Sequence, residues 1–269
     1  MRRYWLPKEQ ISPDQIEISG DAFHHIIDVC RQEVGSKFEV LGDGRKAHFV
    51  EITSLEKKRA LGKILETREM PPLRQPHMVL ALSISRYPVM DAVVEKAVEM
   101  GAARIVPFFS DFSFVRKKNS LPAGKSERWE KIVVSATQQT GRGDLMAIDE
   151  PKDLADVLDQ FNQNPRARGL FAYEGVSTVG IKDYLRSEST ESLDEFWLFV
   201  GSEGGFSPTE VQTFQTKGLQ PVTLGDQVLR VETACIALLA VLKYEFGHMT
   251  AYLGEESHEA VQSSSRGSR

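Results

Sequence analysis

Two segments near the C-terminus combine glycines, carboxylates and an arginine in a pattern that can hold a small ligand. The first is Val200-Gly201-Ser202-Glu203-Gly204-Gly205-Phe206-Ser207-Pro208. It follows the apolar run Phe196-Trp197-Leu198-Phe199-Val200, which reads as a buried strand. It precedes a marked helix start, with Ser207 as N-cap, Pro208 at the first helical position and Glu210 closing a capping box. Glycines let the backbone approach a ligand closely. Loops at the C-terminal ends of parallel strands are where open α/β sheets bind ligands. The spacing meets neither the dinucleotide fingerprint G-x-G-x-x-G nor the P-loop. Glu203 inside the loop would repel a phosphate, so a cationic or neutral nucleoside-like ligand suits it better. A tight connection with no ligand is the competing reading.

The second segment is Leu224-Gly225-Asp226-Gln227-Val228-Leu229-Arg230-Val231-Glu232-Thr233. It also links a strand end to a helix start. Arg230 and Glu232 are the charged groups a site would use, or an ion pair that only holds the loop. The helix that follows, Thr233 to Leu242, is apolar on nearly every face and is expected to be buried all round, in a core or against a partner subunit.

The elements that must position these loops lie after a break at Met70-Pro71-Pro72-Leu73-Arg74-Gln75-Pro76. Three prolines there can continue neither a helix nor a central strand. Strands are expected at Met78–Ile84, Arg104–Phe109, Gly169–Tyr173, Phe196–Gly201 and Pro221–Leu224. Helices are expected at Val89–Met100, Ser126–Gln139, Leu154–Phe161, Pro208–Lys217 and Glu232–Phe246. The alternation implies a parallel sheet covered on both faces. Gly101, Gly218 and Gly247 stand where helix-ending glycines belong.

Before the break the period is two. Phe38 and Val40 alternate, Gly42-Asp43-Gly44 turns, and Ala47 and Phe49 alternate again, which reads as a hairpin. A helix is expected around Ala22–Arg31. The sum is a small β-barrel-like domain over residues 1–72, followed by an α/β domain over 73–249. The Ser-rich end, 250–269, reads as a disordered tail.

Composition places the chain among ordinary globular proteins, with 41% hydrophobic and 26% charged residues. Its 269 residues suit two cores better than one. Cys30 and Cys235 make no disulfide framework, no Cys/His spacing suggests a metal site, and no segment reads as a signal peptide or membrane span. A cytoplasmic protein is expected. The net charge of −5 argues mildly against a nucleic-acid binder. Residues 104–142, however, hold eight Lys/Arg against three acids, a local basic stripe that can meet phosphate.

The segments FVGSEGGFSPTE and LGDQVLRVETA together resemble the signature of the RsmE family. HHIIDVCRQEVG, GDGRKAHFVEI, EKAVEMGAARIVPFFS and ATQQTGR resemble its earlier elements, so the likeness runs over about residues 1–248. The resemblance implies a SPOUT-class methyltransferase that uses S-adenosylmethionine (SAM) to methylate N3 of a uridine in 16S rRNA of the small ribosomal subunit. It implies a C-terminal trefoil knot, a PUA-like first domain that binds RNA, and a homodimer. Cofactor contacts are implied at Val200, Gly201, Glu203, Gly204, Gly205, Leu224, Leu229, Arg230, Thr233 and Ala234. RNA contacts are implied at Arg31, Arg86, Gln139 and Arg142. Arg230 and Glu232 are expected to be catalytic, Arg230 stabilising developing negative charge and Glu232 orienting it or accepting a proton.

The chain departs from the family pattern in places. The family usually has Pro at Ser202, Pro-Arg at Asp226-Gln227, Thr at Val231, a hydrophobic residue such as Leu at Cys30, and an Arg within Asp111–Phe114. A 2′-O-methylating SPOUT enzyme would carry an Asn…Gly…Arg arrangement where Leu82–Pro88 stands here. An oxidoreductase lacks its fingerprint. A different RNA target, or a non-catalytic ribosome-binding protein on the same fold, remains an alternative.

Overall fold

The computed structural model describes residues 1–250 apart from 118, 119, 121, 176, 177 and 188–191. All but the first residue of the expected tail lies outside the described residues.

The N-terminal part is built on β1 (Arg3–Trp5), β2 (Gln15–Ser19), β3 (Lys37–Gly42), β4 (Lys46–Leu55) and β5 (Arg59–Glu69), in the order β1-β3-β4-β5-β2. The β3–β4 hairpin forms where the alternation placed it, with Phe38 opposite Val50 and Val40 opposite His48. Its turn holds three residues rather than an Asp-Gly pair, because Arg45 also takes a left-handed φ of 57° after Gly44 at 82°. The segment after β1 runs to the far edge of the sheet, where Ile11 bridges Ile16 of β2. Tyr4, Ile16, Ile18, Ile26, Phe38, Val50 and Ile52 fill the interior. The helix expected at Ala22–Arg31 begins as α1 (Gly20–Phe23) and continues as a π-helix, His24–Val29. It ends at Arg31, whose φ is 54°.

Residues 70–76 form neither helix nor strand. Arg74 reaches from this connector to the far end of the chain, donating to the Gly247 carbonyl at 2.8 Å.

The second part alternates strand and helix: β6 (His77–Ser83), α2 (Tyr87–Glu99), β7 (Arg104–Phe109), α3 (Lys125–Thr140), β8 (Ala147–Ile148), β9 (Lys152–Asp153), α4 (Leu154–Asn162), β10 (Ala167–Ala172), β11 (Val179–Gly180), α5 (Ile181–Ser187), β12 (Glu195–Val200), α6 (Pro208–Thr216), β13 (Gln220–Thr223) and α7 (Val231–Glu245). The sheet order is β11-β13-β10-β12-β6-β7-β8, with β9 also on β7, and each of these pairings is parallel. Both faces are covered, as the alternation implied. Met78, Leu80 and Leu82 of β6 enter one apolar cluster with Val94, Trp129 and Leu238. Val79 and Ala81 enter another with Leu158, Phe161 and Phe214. This is the period-two consequence of a strand buried on both sides. Gly101, Gly218 and Gly247 end α2, α6 and α7 with φ of 75°, 81° and 67°.

Helix α7 meets the expectation of burial only in part within one chain. It is not buried all round: Ala234, Cys235, Leu238, Leu239 and Leu242 face the core, while Thr233 and Tyr244 are exposed and Ile236, Ala237 and Ala240 are half-buried. The two sets divide at helical spacing, so within one chain only one stripe is covered.

The two parts touch at Gly141, which ends α3. A Cβ there would lie 2.8 Å from the Arg3 guanidinium carbon. Arg3 and Arg68 both bond the buried carboxylate of Glu39, at 2.8 Å and 2.6 Å.

Candidate active site

Parallel pairing puts the C-terminal ends of β6, β7, β10, β12 and β13 along one edge. Val200 stands opposite Leu82, Phe199 opposite Phe171, and Ala172 opposite Val222. The loops after these strands therefore meet.

The first glycine loop is a tight turn closed by the Gly205 N–H to the Ser202 carbonyl at 2.9 Å. Gly205 takes a φ of 70° and a Cβ there would meet open space. Gly201 has no such room, because a Cβ would lie 2.9 Å from Gly205 backbone atoms. A Cβ on Gly204 would lie 2.8 Å from the Phe112 side chain. The Ser202 hydroxyl donates to the Phe112 carbonyl at 2.6 Å. The segment after β7 thus walls one side of the loop.

The capping box forms as expected and does more. Glu210 accepts from the Ser207 N–H at 2.9 Å, and the Glu210 N–H donates to the Ser207 hydroxyl at 3.3 Å. The second Glu210 oxygen accepts from the Asp111 N–H at 2.9 Å, and the Ser207 hydroxyl also donates to Asp111. One buried carboxylate therefore ties the glycine loop to the segment after β7. Beneath that segment the hydroxyls of Ser83, Ser110 and Ser113 bond one another at 2.6–3.0 Å, all buried.

Glu203 points to the other neighbour. Its carboxylate accepts from the backbone N–H of Arg86, the N-cap of α2, at 3.2 Å. A negative charge there also suits the helix dipole.

The second loop turns at Gly225, φ 127°. The Leu229 N–H donates to the Glu174 carboxylate at 3.1 Å. Leu224 and Leu229 pack against the same apolar cluster that contains Val200 and Ala234, so both loops border one cluster. Arg230 is the exposed N-cap of α7, whose first turn has no side-chain cap. Among the described residues no carboxylate pairs with Arg230. No hydrogen bond joins Arg230 and Glu232 either, because positions two apart on a helix face different ways. Burial, with the Glu232 carboxylate nearby, pushes the Cys235 thiol far above its usual range and keeps it inert.

The expected RNA residues divide. Arg31, Arg86 and Gln139 are exposed. Arg142 is not: its side chain is 9% exposed, pairs with Asp144 at 2.9 Å and donates to the Ala102 carbonyl at 2.9 Å. That guanidinium closes the end of α2 and is committed to the fold. The basic stripe is also partly neutralised, by Arg104 with Glu195 and Arg128 with Asp91. Arg116, Lys117 and Lys131 stay exposed, while Lys118 lies outside the described residues.

Sequence reasoning missed Glu174, Asp111 and the second role of Glu210. Each acts across strand neighbours, and no local spacing marks such a bond.

Residues 72–243 match the family model of an RNA methyltransferase domain. The ribosomal RNA small subunit methyltransferase E of Aquifex aeolicus is 31% identical over 217 residues, 80% of this chain and 88% of that one. The solved ribosomal RNA small subunit methyltransferase E of Neisseria gonorrhoeae, bound to S-adenosyl methionine, superposes with a TM-score of 0.77 at 28% identity, over 91% of this chain and 97% of that one. A methyltransferase of Legionella pneumophila, solved with bound SAM, gives a TM-score of 0.78 at 28% identity, over 90% and 96%. The α/β fold with its parallel sheet is theirs, and the chain belongs to the RNA methyltransferases of the ribosomal small subunit methyltransferase E, or RsmE, family.

Proposed function

We propose that this protein methylates N3 of a uridine in 16S rRNA of the small ribosomal subunit, using SAM. The observation that carries the reading is the pair of loops bordering one apolar cluster at the C-terminal edge of the sheet, with an exposed arginine, Arg230, beside them.

The residues present fit the cofactor. Gly205 opens onto free space, and the first turn of α7 has no side-chain cap. Backbone groups of Val200, Gly201, Gly204 and Gly205, with that of Thr233, would hydrogen-bond a nucleoside, Leu224 and Leu229 would pack on its base, and Ala234, whose N–H is bonded to the Arg230 carbonyl at 2.8 Å, would line the site. Glu203 gives the loop a negative charge that tolerates a sulfonium and disfavours phosphate. When bound, the cofactor supplies an electrophilic methyl group.

The remaining work falls to the chain. N3 of uracil carries a proton at neutral pH, and its lone pair is available only once that proton leaves. Arg230, exposed and with no carboxylate partner among the described residues, is placed to meet the negative charge that spreads over the ring. Glu232, in the first turn of α7, is the carboxylate that the resemblance offers to accept the proton, acting from a different face of the turn than Arg230. Arg31, Arg86 and Gln139 hold the RNA, Arg31 from a PUA-like barrel over residues 1–72 and the other two from the SPOUT domain over 73–249.

Strand order supports a knotted C-terminus. β12 enters between β10 and β6, β13 then lies outside β10, and α7 packs back on α2. The half-buried stripe of α7 supports a homodimer that covers it, in the cytoplasm where ribosomes are at hand.

The test is mass spectrometry of rRNA nucleosides after incubating small subunits with the protein and SAM. The expected product is 3-methyluridine. Its absence, with SAM bound in calorimetry, would point to another RNA target.

A further inference from the structure

The segment after β7 presents two phenylalanines to solvent beside the glycine loop. Phe112 is 45% exposed and Phe114 is 53% exposed. Ser113 between them is buried, and its hydroxyl bonds Ser83 at 2.9 Å and accepts from the Ser110 N–H at 2.7 Å. The Phe114 N–H donates to the Ile84 carbonyl at 2.7 Å, and the Phe112 carbonyl accepts from Ser202. The backbone is pinned at each residue, and Phe112, though it lies against Gly204, keeps nearly half of its surface in solvent, as Phe114 does. Neighbouring exposed apolar side chains that form one patch mark a contact surface.

Their neighbours give the surface a sign. Phe114 meets Tyr87 edge-to-face at 5.4 Å between centroids. Lys125 Nζ lies 4.0 Å from the centre of the Tyr87 ring. Arg86, Arg116 and Lys117 are exposed alongside. Two acids are close, but Glu203 accepts from the Arg86 N–H and Asp111 from the Ser207 hydroxyl. Flat rings ringed by cations match a single strand of nucleic acid, whose bases stack while its phosphates meet the charges.

The geometry points to Phe112 and Phe114 as a stacking platform for unpaired bases that flank the target nucleotide. This rests on the RNA-methylating function proposed above. The residues lie outside the cofactor and RNA sets that the resemblance implied. Phe112 also lies in the segment where the family commonly carries an arginine, so this surface is a departure of this chain from that pattern.

The experiment compares wild type with Phe112→Leu, Phe114→Leu, the double leucine variant and Phe114→Trp. Leucine keeps bulk and apolarity but removes the aromatic face. Binding of a fluorescein-labelled, uridine-containing single-stranded RNA is read by anisotropy, SAM affinity by calorimetry, and methylation of small subunits separately. The double leucine variant is expected to bind the single strand about tenfold more weakly, and Phe114→Leu, which leaves the wall of the glycine loop intact, to weaken that binding with SAM affinity unchanged. Phe114→Trp is expected to retain wild-type binding, with its emission quenched by the single strand and not by a duplex of the same sequence. Single-strand affinity within twofold of wild type in the double leucine variant overturns the platform. So does a parallel fall in SAM affinity in Phe114→Leu, which would make that ring a support for the glycine loop. So does a shift in oligomeric state at unchanged RNA affinity, which would assign the patch to a second copy. A wild type that binds the single strand but methylates no rRNA sinks the proposed function and leaves the platform standing.

Discussion

The carboxylate of Glu203 accepts a hydrogen bond from the backbone N–H of Arg86 at 3.2 Å, joining the glycine loop to the start of α2. One residue belongs to the expected cofactor set and the other to the expected RNA set. The bond makes the position of one depend on the other. Glu203→Ala is therefore expected to weaken SAM and RNA binding together, each by about fivefold, since a charge at a helix N-terminus contributes about 1 kcal/mol. Glu203→Gln keeps an acceptor and should fall between. Calorimetry for SAM and anisotropy for RNA check this; a change in only one affinity would break the link.

Gly201→Ala should damage the loop without a flexible neighbour to absorb the methyl, because the nearest atoms are Gly205 backbone at 2.9–3.0 Å. A cost of about 1–3 kcal/mol in stability is expected, with SAM binding reduced about tenfold or more. Gly205→Asn is the contrast, since asparagine tolerates the φ of 70° and the space is open. Urea denaturation of the two variants should rank them in that order.

Arg230→Ala should lower turnover by about 100-fold, the usual scale for removing one stabiliser of developing negative charge. SAM affinity should change far less. The deficit should shrink as pH rises, because the uracil then loses its N3 proton without help. A single-turnover pH profile measures this, and a deficit that is constant with pH would reassign Arg230 to binding.

Glu39 makes the first part acid-sensitive. Burial raises its carboxyl, but hydrogen bonds from Arg68 and Arg3 outweigh that and hold it below the ordinary value of 4.5. A depressed carboxylate contributes stability above its unfolded pKa and loses it as pH falls through the folded one. Glu39→Gln should thus cost about 1–2 kcal/mol at neutral pH. The gap to wild type should narrow below about pH 4.5, where the unfolded chain begins to take up the proton. Urea midpoints at pH 7 and pH 4 decide it.

What could be read from the residues follows from range. The central strands announced themselves because each is apolar on both faces, and the caps at Ser207, Gly101, Gly218 and Gly247 are local chemistry. β5 did not, since the later half of RALGKILETRE is charged and exposed while its partner β4 satisfies its backbone. α5 and the two-residue strands are too short to carry a period. In the site, glycines and the arginine stood out by type. The bonds from Glu203 to Arg86 and from Glu210 to Asp111 did not, because they depend on β12 lying beside β6 and β6 beside β7. Arg142 was misread for the opposite reason: its charge suggested solvent, and only the end of α2 shows that it is needed inside.

The place of β12 has a consequence for how the molecule is made. β6 leaves the ribosome early, with Met78, Val79, Leu80, Ala81 and Leu82 all destined for burial. The strand that covers its open side, β12, is synthesised only after every element from β7 to α5. Until then β6 offers an unpaired apolar edge, and closing it requires a contact between distant parts of the chain. Newly made protein should spend that interval as a partly folded species prone to clump, and slower translation between β7 and β12 should lengthen it.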